Sequence, residues 1–347
     1  MKKILITLLQ IAVTVGALWL IFKNPKNREA FAYAFTHAEL RWVLAAIVAA
    51  GLSPVTATVR WWMLLNVQGI RPGWKRVTQL YMIGSFFNLF LLGSTGGDAL
   101  KMFYLVREVG PSKRAGAILT VIVDRLLGLL ALVALAVVFV TMRYSWLTRT
   151  KETTAILASF GLILGSAVAG LAVVFTVIGL RLVDRLPARL PGRSKFVDMA
   201  AACRIYAQAW RTTLLGIVIS WAGHSSFFFT YYFAARAVHS TTVKLWDMTT
   251  LLPIINTIVA VPISVSGVGL REGLFTRLLG DLCGTPAGDA VAISFIGFLC
   301  SVLFYGLLGA LFFLSYRSAT GAPPPGMETV EETLAGDDDP AARPARR

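Results

Sequence analysis

Six of the eight apolar stretches in this chain are long enough to cross a bilayer as helices, and that leaves it few folds to adopt. The stretches run Ile4 to Phe22, Trp42 to Val59, Val77 to Leu92, Ala115 to Met142, Ala155 to Leu180, Leu214 to Val238, Met248 to Val261 and Ala287 to Tyr316. About 20 helical residues span the roughly 30 Å hydrocarbon core. The charged share is 15% and the hydrophobic share 56%, against about a quarter charged in soluble domains. The expected fold is therefore all-α and polytopic, with one integral membrane domain over residues 1–316. The first stretch follows Lys2 and Lys3, but its 19 residues exceed the apolar core of a signal peptide and no small-residue cleavage pattern follows. It is read as a retained span.

Two stretches are abnormal. Val77 to Leu92 ends in Ser94-Thr95-Gly96-Gly97-Asp98, and Met248 to Val261 breaks at Pro262 and continues through Ser264-Val265-Ser266-Gly267-Val268-Gly269. If all eight stretches crossed, Lys and Arg would divide 15 to 17 across the membrane, and the excess of cations on the cytoplasmic side would give no orientation. If the two broken stretches are re-entrant, the division becomes 21 cytoplasmic to 11 external, with Arg125 inside a span. The expected layout is thus six transmembrane helices plus two re-entrant helical hairpins, with both termini cytoplasmic. Span two, the first hairpin and span four then form a unit that span six, the second hairpin and span eight repeat upside down, as in many transporters.

The net charge of +15 is accounted for by this topology and by the anionic inner leaflet, so no nucleic-acid partner is expected. The segment Arg181 to Arg211 contains a helix-compatible run, Phe196 to Trp210. It reads equally as an amphipathic helix on the inner leaflet or as a solvated loop. Residues 317–347 carry Pro323-Pro324-Pro325 and Asp337-Asp338-Asp339, a composition expected to form a disordered cytoplasmic tail. Cys203, Cys283 and Cys300 are widely separated and have neither disulfide-framework nor zinc spacing. No cofactor or metal is expected.

Charged residues at bilayer depth are costly and mark function by default. Asp98 and Lys101 lie three apart, on one face of a helix that starts after Gly96-Gly97. That helix start favours an anion, and Lys101 offers it a compact charge. The competing reading makes Asp98 a cap and Lys101 its surface partner. In the second break, Gly267 and Gly269 supply backbone freedom, Ser264 and Ser266 hydroxyls, and Arg271 a fork suited to phosphate oxygens, with Glu272 holding it. An internal salt bridge is the alternative. Asp124 and Arg125 sit roughly 15 Å into their stretch and point about 100° apart, so each needs its own partner. They are read as cavity residues or as a static interhelical lock. Arg60, before Trp61 and Trp62, is expected to be interfacial, snorkelling beside an aromatic belt. His224 is read as bonded to a neighbouring helix rather than as a proton relay.

The segments Arg60-Trp61-Trp62, Gly96-Gly97-Asp98-Ala99-Leu100-Lys101, Asp124-Arg125-Leu126-Leu127-Gly128 and Pro262 to Gly273 together resemble, in order and spacing, the lysylphosphatidylglycerol synthase transmembrane region, or flippase-like, family over about residues 5 to 315. The resemblance implies a bacterial inner-membrane domain that moves lipids between leaflets. Family members that synthesise aminoacyl lipids carry a soluble aminoacyltransferase domain, and residues 317–347 are too few for one, so no enzymatic activity is expected here. The expected substrate is a phosphate-headgroup lipid, whether phospholipid, aminoacyl-phospholipid or isoprenoid-linked glycolipid. Lys101, Arg271 and Arg125 would hold its phosphate. An integral membrane enzyme of lipid or glycolipid synthesis, or an accessory subunit beside a separate lipid-modifying enzyme, remain the alternatives. A homodimer is compatible with either.

Overall fold

A computed structural model describes residues 12, 14–90, 96–185, 187, 193–261, 263, 264, 267–320 and 330. Among them every regular element is helical. Residues 14–22 are helical, and the rest of the first expected span, apart from residue 12, lies outside the described residues. Then follow α1 (Pro25–Thr36), α2 (Leu40–Val67), α3 (Trp74–Phe90), α4 (Gly96–Glu108), α5 (Arg114–Met142), α6 (Lys151–Gly179), α7 (Arg193–Gln208), α8 (Trp210–Ala237), α9 (Leu245–Val259), α10 (Leu270–Cys283) and α11 (Ala287–Thr320).

Helices α2, α5, α6, α8 and α11 are long and apolar enough to cross a membrane. The elements at the two broken stretches are not. Helices α3, α4, α9 and α10 have 17, 13, 15 and 14 residues, so each is only about 20–26 Å long at 1.5 Å per residue. They occur as consecutive pairs, α3 packed on α4 and α9 on α10. Gly97 is what lets the first pair close. A Cβ there would stand 1.8 Å from the Gly84 carbonyl oxygen, and the Gly97 N–H donates to Asn88 Oδ1 at 2.9 Å. Gly97→Ala is expected to cost about 1–3 kcal/mol through overpacking. Gly73→Ala, in open space, is expected to be neutral, and thermal unfolding in detergent compares the two.

Helix α8 runs along α2 and also touches α5, while α11 lies against α1, α2, α3, α8 and α10. Among the described residues, the buried apolar side chains form three clusters. The largest joins α8 to α11 through Tyr231, Met248, Leu251, Phe275 and Ile293. The second joins α2 to the first hairpin through Trp61, Leu65, Leu80, Leu100 and Phe103. The smallest joins α2 and α5 to α7 through Leu64, Leu119 and Tyr206. Burial at about 25 cal/mol per Å² favours such clusters in water. In lipid, close packing and interhelical hydrogen bonds do more of the holding.

Where sequence reading left a loop or an amphipathic helix open, a helix forms. Helix α7 docks through Gln68 Nε2 donating to the Ala202 carbonyl at 3.0 Å and Tyr206 OH donating to the Leu64 carbonyl at 3.1 Å. The last long helix runs past residue 316, where the membrane domain was expected to end. Helix α11 continues to Thr320, and Val330 is helical and fully buried against the α2–α4 cluster. At that point the tail docks, because an apolar side chain finds an apolar surface. The remaining tail residues lie outside the described residues.

Candidate functional site

Between α2, α3, α4, α5, α8 and α11 lies a cavity of about 610 Å³, within the roughly 300–1,000 Å³ of ligand sites. Five charged side chains face it: Arg60, Asp98, Lys101, Asp124 and Arg125. Asp124 is 3% exposed. Its Oδ1 accepts from Arg60 Nε at 2.7 Å, and its Oδ2 is 3.8 Å from Lys101 Nζ. Asp98 Oδ1 is 3.6 Å from the same Nζ, while Asp98 Oδ2 accepts from Arg125 Nε. Lys101 is therefore shared between two carboxylates. It also lies 4.5 Å from the Trp61 ring centroid and 4.8 Å from that of Tyr81, where the ring faces attract a cation. Arg60 Nη1 further donates to Ser220 Oγ at 2.7 Å, which ties α2 to α8.

These contacts decide between the readings left open by the sequence. Lys101 is 2% exposed and so is no surface partner of Asp98. Asp124 and Arg125, pointing apart, do find separate partners on α2 and α4. Arg60 and Trp61, expected to be interfacial, both turn inward. Arg60 is held there by Asp124 and Ser220. Trp61 is fully buried and donates from Nε1 to Thr120 Oγ1 at 3.2 Å. Trp62 alone of the three stays partly exposed.

The second break forms a separate constellation that does not line the cavity. Glu272, fully buried, accepts from the Gly269 N–H at 2.6 Å, from Arg271 Nη2 at 2.8 Å and from Ser294 Oγ at 2.8 Å. Arg271 also donates from Nε to Ser294 Oγ at 3.1 Å and lies 4.1 Å from the Phe298 ring centroid. The internal salt bridge is the arrangement found, and it lies apart from Lys101 and Arg125, with which Arg271 was grouped around one ligand. The ion pair closes on itself because Glu272 doubles as the cap of α10. Gly267 and Gly269 take φ of +74° and +85°, which side chains disfavour. Ser264 is buried and its hydroxyl has no partner among the described residues. Ser266 lies outside the described residues.

Of the uncharged cavity wall only His224 was legible in the sequence, as a bond to a neighbouring helix, and its Nε2 does meet the Gly128 carbonyl of α5. Ser53, Thr56, Ser220, His224 and Tyr305 all line the cavity. The available signal was spacing, since Ser53, Thr56 and Arg60 recur on one face of α2, as Ser220 and His224 do on α8.

Long apolar helices, two pairs of short ones and an ion network facing an internal cavity define a multi-pass membrane protein with a polar interior. The chain belongs to the lysylphosphatidylglycerol synthase TM region family, whose model matches residues 7–309. It is also 27% identical over 134 residues to a UPF0104 membrane protein of Pyrococcus horikoshii, an alignment covering 38% of each chain. The chain thus aligns with well under half of that relative's length.

Proposed function

We propose that the protein is a flippase-like transporter, without enzymatic activity, that moves a phosphate-headgroup lipid between leaflets of a bacterial inner membrane. The observation that carries this is the charge balance of the cavity. Three cations, Arg60, Lys101 and Arg125, face two carboxylates, Asp98 and Asp124, leaving one positive charge that a single phosphodiester neutralises. Acyl or isoprenoid chains stay in lipid while the headgroup enters the cavity. Alternating access of the two inverted units then exchanges the leaflet it faces.

In this reading the short helix pairs are re-entrant hairpins between six crossings, and both termini are cytoplasmic. Their sub-bilayer lengths and mutual packing support that layout. Arg71 and Ser112 are exposed before and after the first hairpin, and Thr241 and Pro286 flank the second. With the native cysteines replaced by alanine, Arg71→Cys and Ser112→Cys are expected to react with an impermeant maleimide from the cytoplasmic side, and Thr241→Cys and Pro286→Cys from the other. Opposite sidedness within either pair would exclude the re-entrant layout.

Transport is tested in liposomes carrying a fluorescent anionic phospholipid and an impermeant reductant. Arg125 is half-exposed at the cavity, and a charge-assisted hydrogen bond is worth about 1.5–3 kcal/mol. Arg125→Gln is expected to slow leaflet exchange about 10–100-fold, while Arg277→Gln, on an exposed face, leaves it unchanged. Equal rates in both variants would remove the cavity from the mechanism. The same liposomes, holding no second protein, separate a transporter from an accessory subunit.

A further inference from the structure

His224 stands in the cavity wall outside the ion network. His224 lies one turn beyond Ser220 on α8, and its Nε2 is 2.9 Å from the Gly128 carbonyl oxygen on α5. A carbonyl only accepts, so Nε2 carries the hydrogen and the neutral ring presents Nδ1 as an acceptor. No partner for Nδ1 is found among the described residues. Nor is Nδ1 among the sealed polar atoms that lack a partner, and His224 lines the cavity.

The carboxylate and amide acceptors nearby are engaged. Both oxygens of Asp98 and of Asp124 face cations. Asn88 Oδ1 takes the Gly97 N–H, and Ser220 Oγ takes Arg60 Nη1 while donating to the Gly216 carbonyl. Beside the Thr56 and Ser85 hydroxyls, which donate to backbone carbonyls of their own helices, a headgroup held by its phosphate against Arg60 and Arg125 meets an imidazole nitrogen, the one nitrogen acceptor among the described residues of the wall.

We propose that His224 reads the lipid headgroup, its Nδ1 accepting a hydrogen bond from a hydroxyl or ammonium donor on the group esterified to the phosphate. This rests on the lipid-transport reading and extends it to headgroup selectivity. Lipids with a donor are favoured over lipids of equal charge without one. Protonated imidazole loses the lone pair, so selectivity belongs to the neutral ring.

Binding to the purified full-length protein is measured by native mass spectrometry, with lipids of identical acyl chains in competition. Phosphatidylglycerol and phosphatidylmethanol are both monoanionic phosphodiesters, and only the first has headgroup hydroxyls. Phosphatidylethanolamine supplies the ammonium arm, with phosphatidylcholine as its donor-free match. One hydrogen bond corresponds to about a 3–10-fold preference, expected for the donor-bearing member of either or both pairs. His224→Gln keeps a donor for Gly128 and an acceptor for the cavity, and is expected to retain most of the preference; His224→Phe abolishes it. Equal binding of both members of both pairs by the wild type overturns the proposal without any variant, as does retention of no lipid. A preference that survives in His224→Phe, or vanishes in a folded His224→Gln, also overturns it. A wild-type preference without leaflet exchange in liposomes would sink transport and leave the headgroup contact standing.

Discussion

Asp124→Asn is expected to destabilise the empty protein yet strengthen its response to an anionic lipid, whereas Arg60→Met is expected to lose both stability and response. Asp124 is buried against Arg60 at 2.7 Å and near Lys101 at 3.8 Å. Removing one partner of a buried pair costs about 3–5 kcal/mol, because the other charge is left uncompensated. The cavity balance moves in opposite directions, however. Three cations against two carboxylates become three against one in Asp124→Asn, and two against two in Arg60→Met. Ligand binding to the folded state raises the unfolding midpoint in proportion to affinity and concentration. In detergent with added phosphatidylglycerol, the lipid-induced rise in Tm is therefore expected to be larger than wild type for Asp124→Asn and near zero for Arg60→Met. Replacing the pair together, with Arg60→Met and Asp124→Leu, keeps one excess positive charge through Lys101, Arg125 and Asp98. It is expected to recover most of the stability and part of the lipid response. Identical lipid shifts in all three variants would mean that charge balance does not govern binding.

Glu272→Gln is expected to cost about 3–5 kcal/mol while leaving lipid binding by the folded fraction unchanged. Glu272 is fully buried and satisfies the Gly269 N–H, Arg271 and Ser294 together. An amide keeps one acceptor oxygen but turns its nitrogen hydrogens on donors, and it leaves the Arg271 guanidinium buried without a counter-charge. Helix α10 would lose its cap and its tie to α11 at once. Arg271→Lys keeps the charge but not the planar fork, so its loss is expected to be less than half as large. Thermal unfolding measures both. Native mass spectrometry of the folded fraction checks that phosphatidylglycerol is retained as in wild type, and loss of that retention in Arg271→Lys would return Arg271 to the lipid site.

The two breaks were legible because small residues and Pro262 interrupt apolar runs, and the short helices α3, α4, α9 and α10 follow directly from that. Asp98, Lys101, Asp124 and Arg125 were legible as candidates because a charge within an apolar stretch has few structural reasons to be there, and the fold brings all four to one cavity. The inward contacts of Arg60 were hidden for a local reason. Two tryptophans beside a cation at the end of an apolar run are also what an interfacial belt looks like, and the partners of Arg60, Asp124 and Ser220, are 64 and 160 positions away. The same limit explains Arg271 and Glu272. Adjacent in sequence, they offer no sign that Ser294 and Phe298 wait on α11 to enclose them.

Apolar length and the placement of cations were enough to establish an all-helical, multi-pass membrane protein with two interrupted segments, because bilayer thickness and backbone hydrogen bonding act on any chain residue by residue. Which charges meet was decided by helix packing. The azimuth of α2 against α5 and α8 turns Arg60 and Trp61 inward, and the close approach allowed by Gly97 brings Asp98 and Lys101 to the same cavity. Those rotations are set by side-chain fit spread over the whole chain, and no local spacing encodes them.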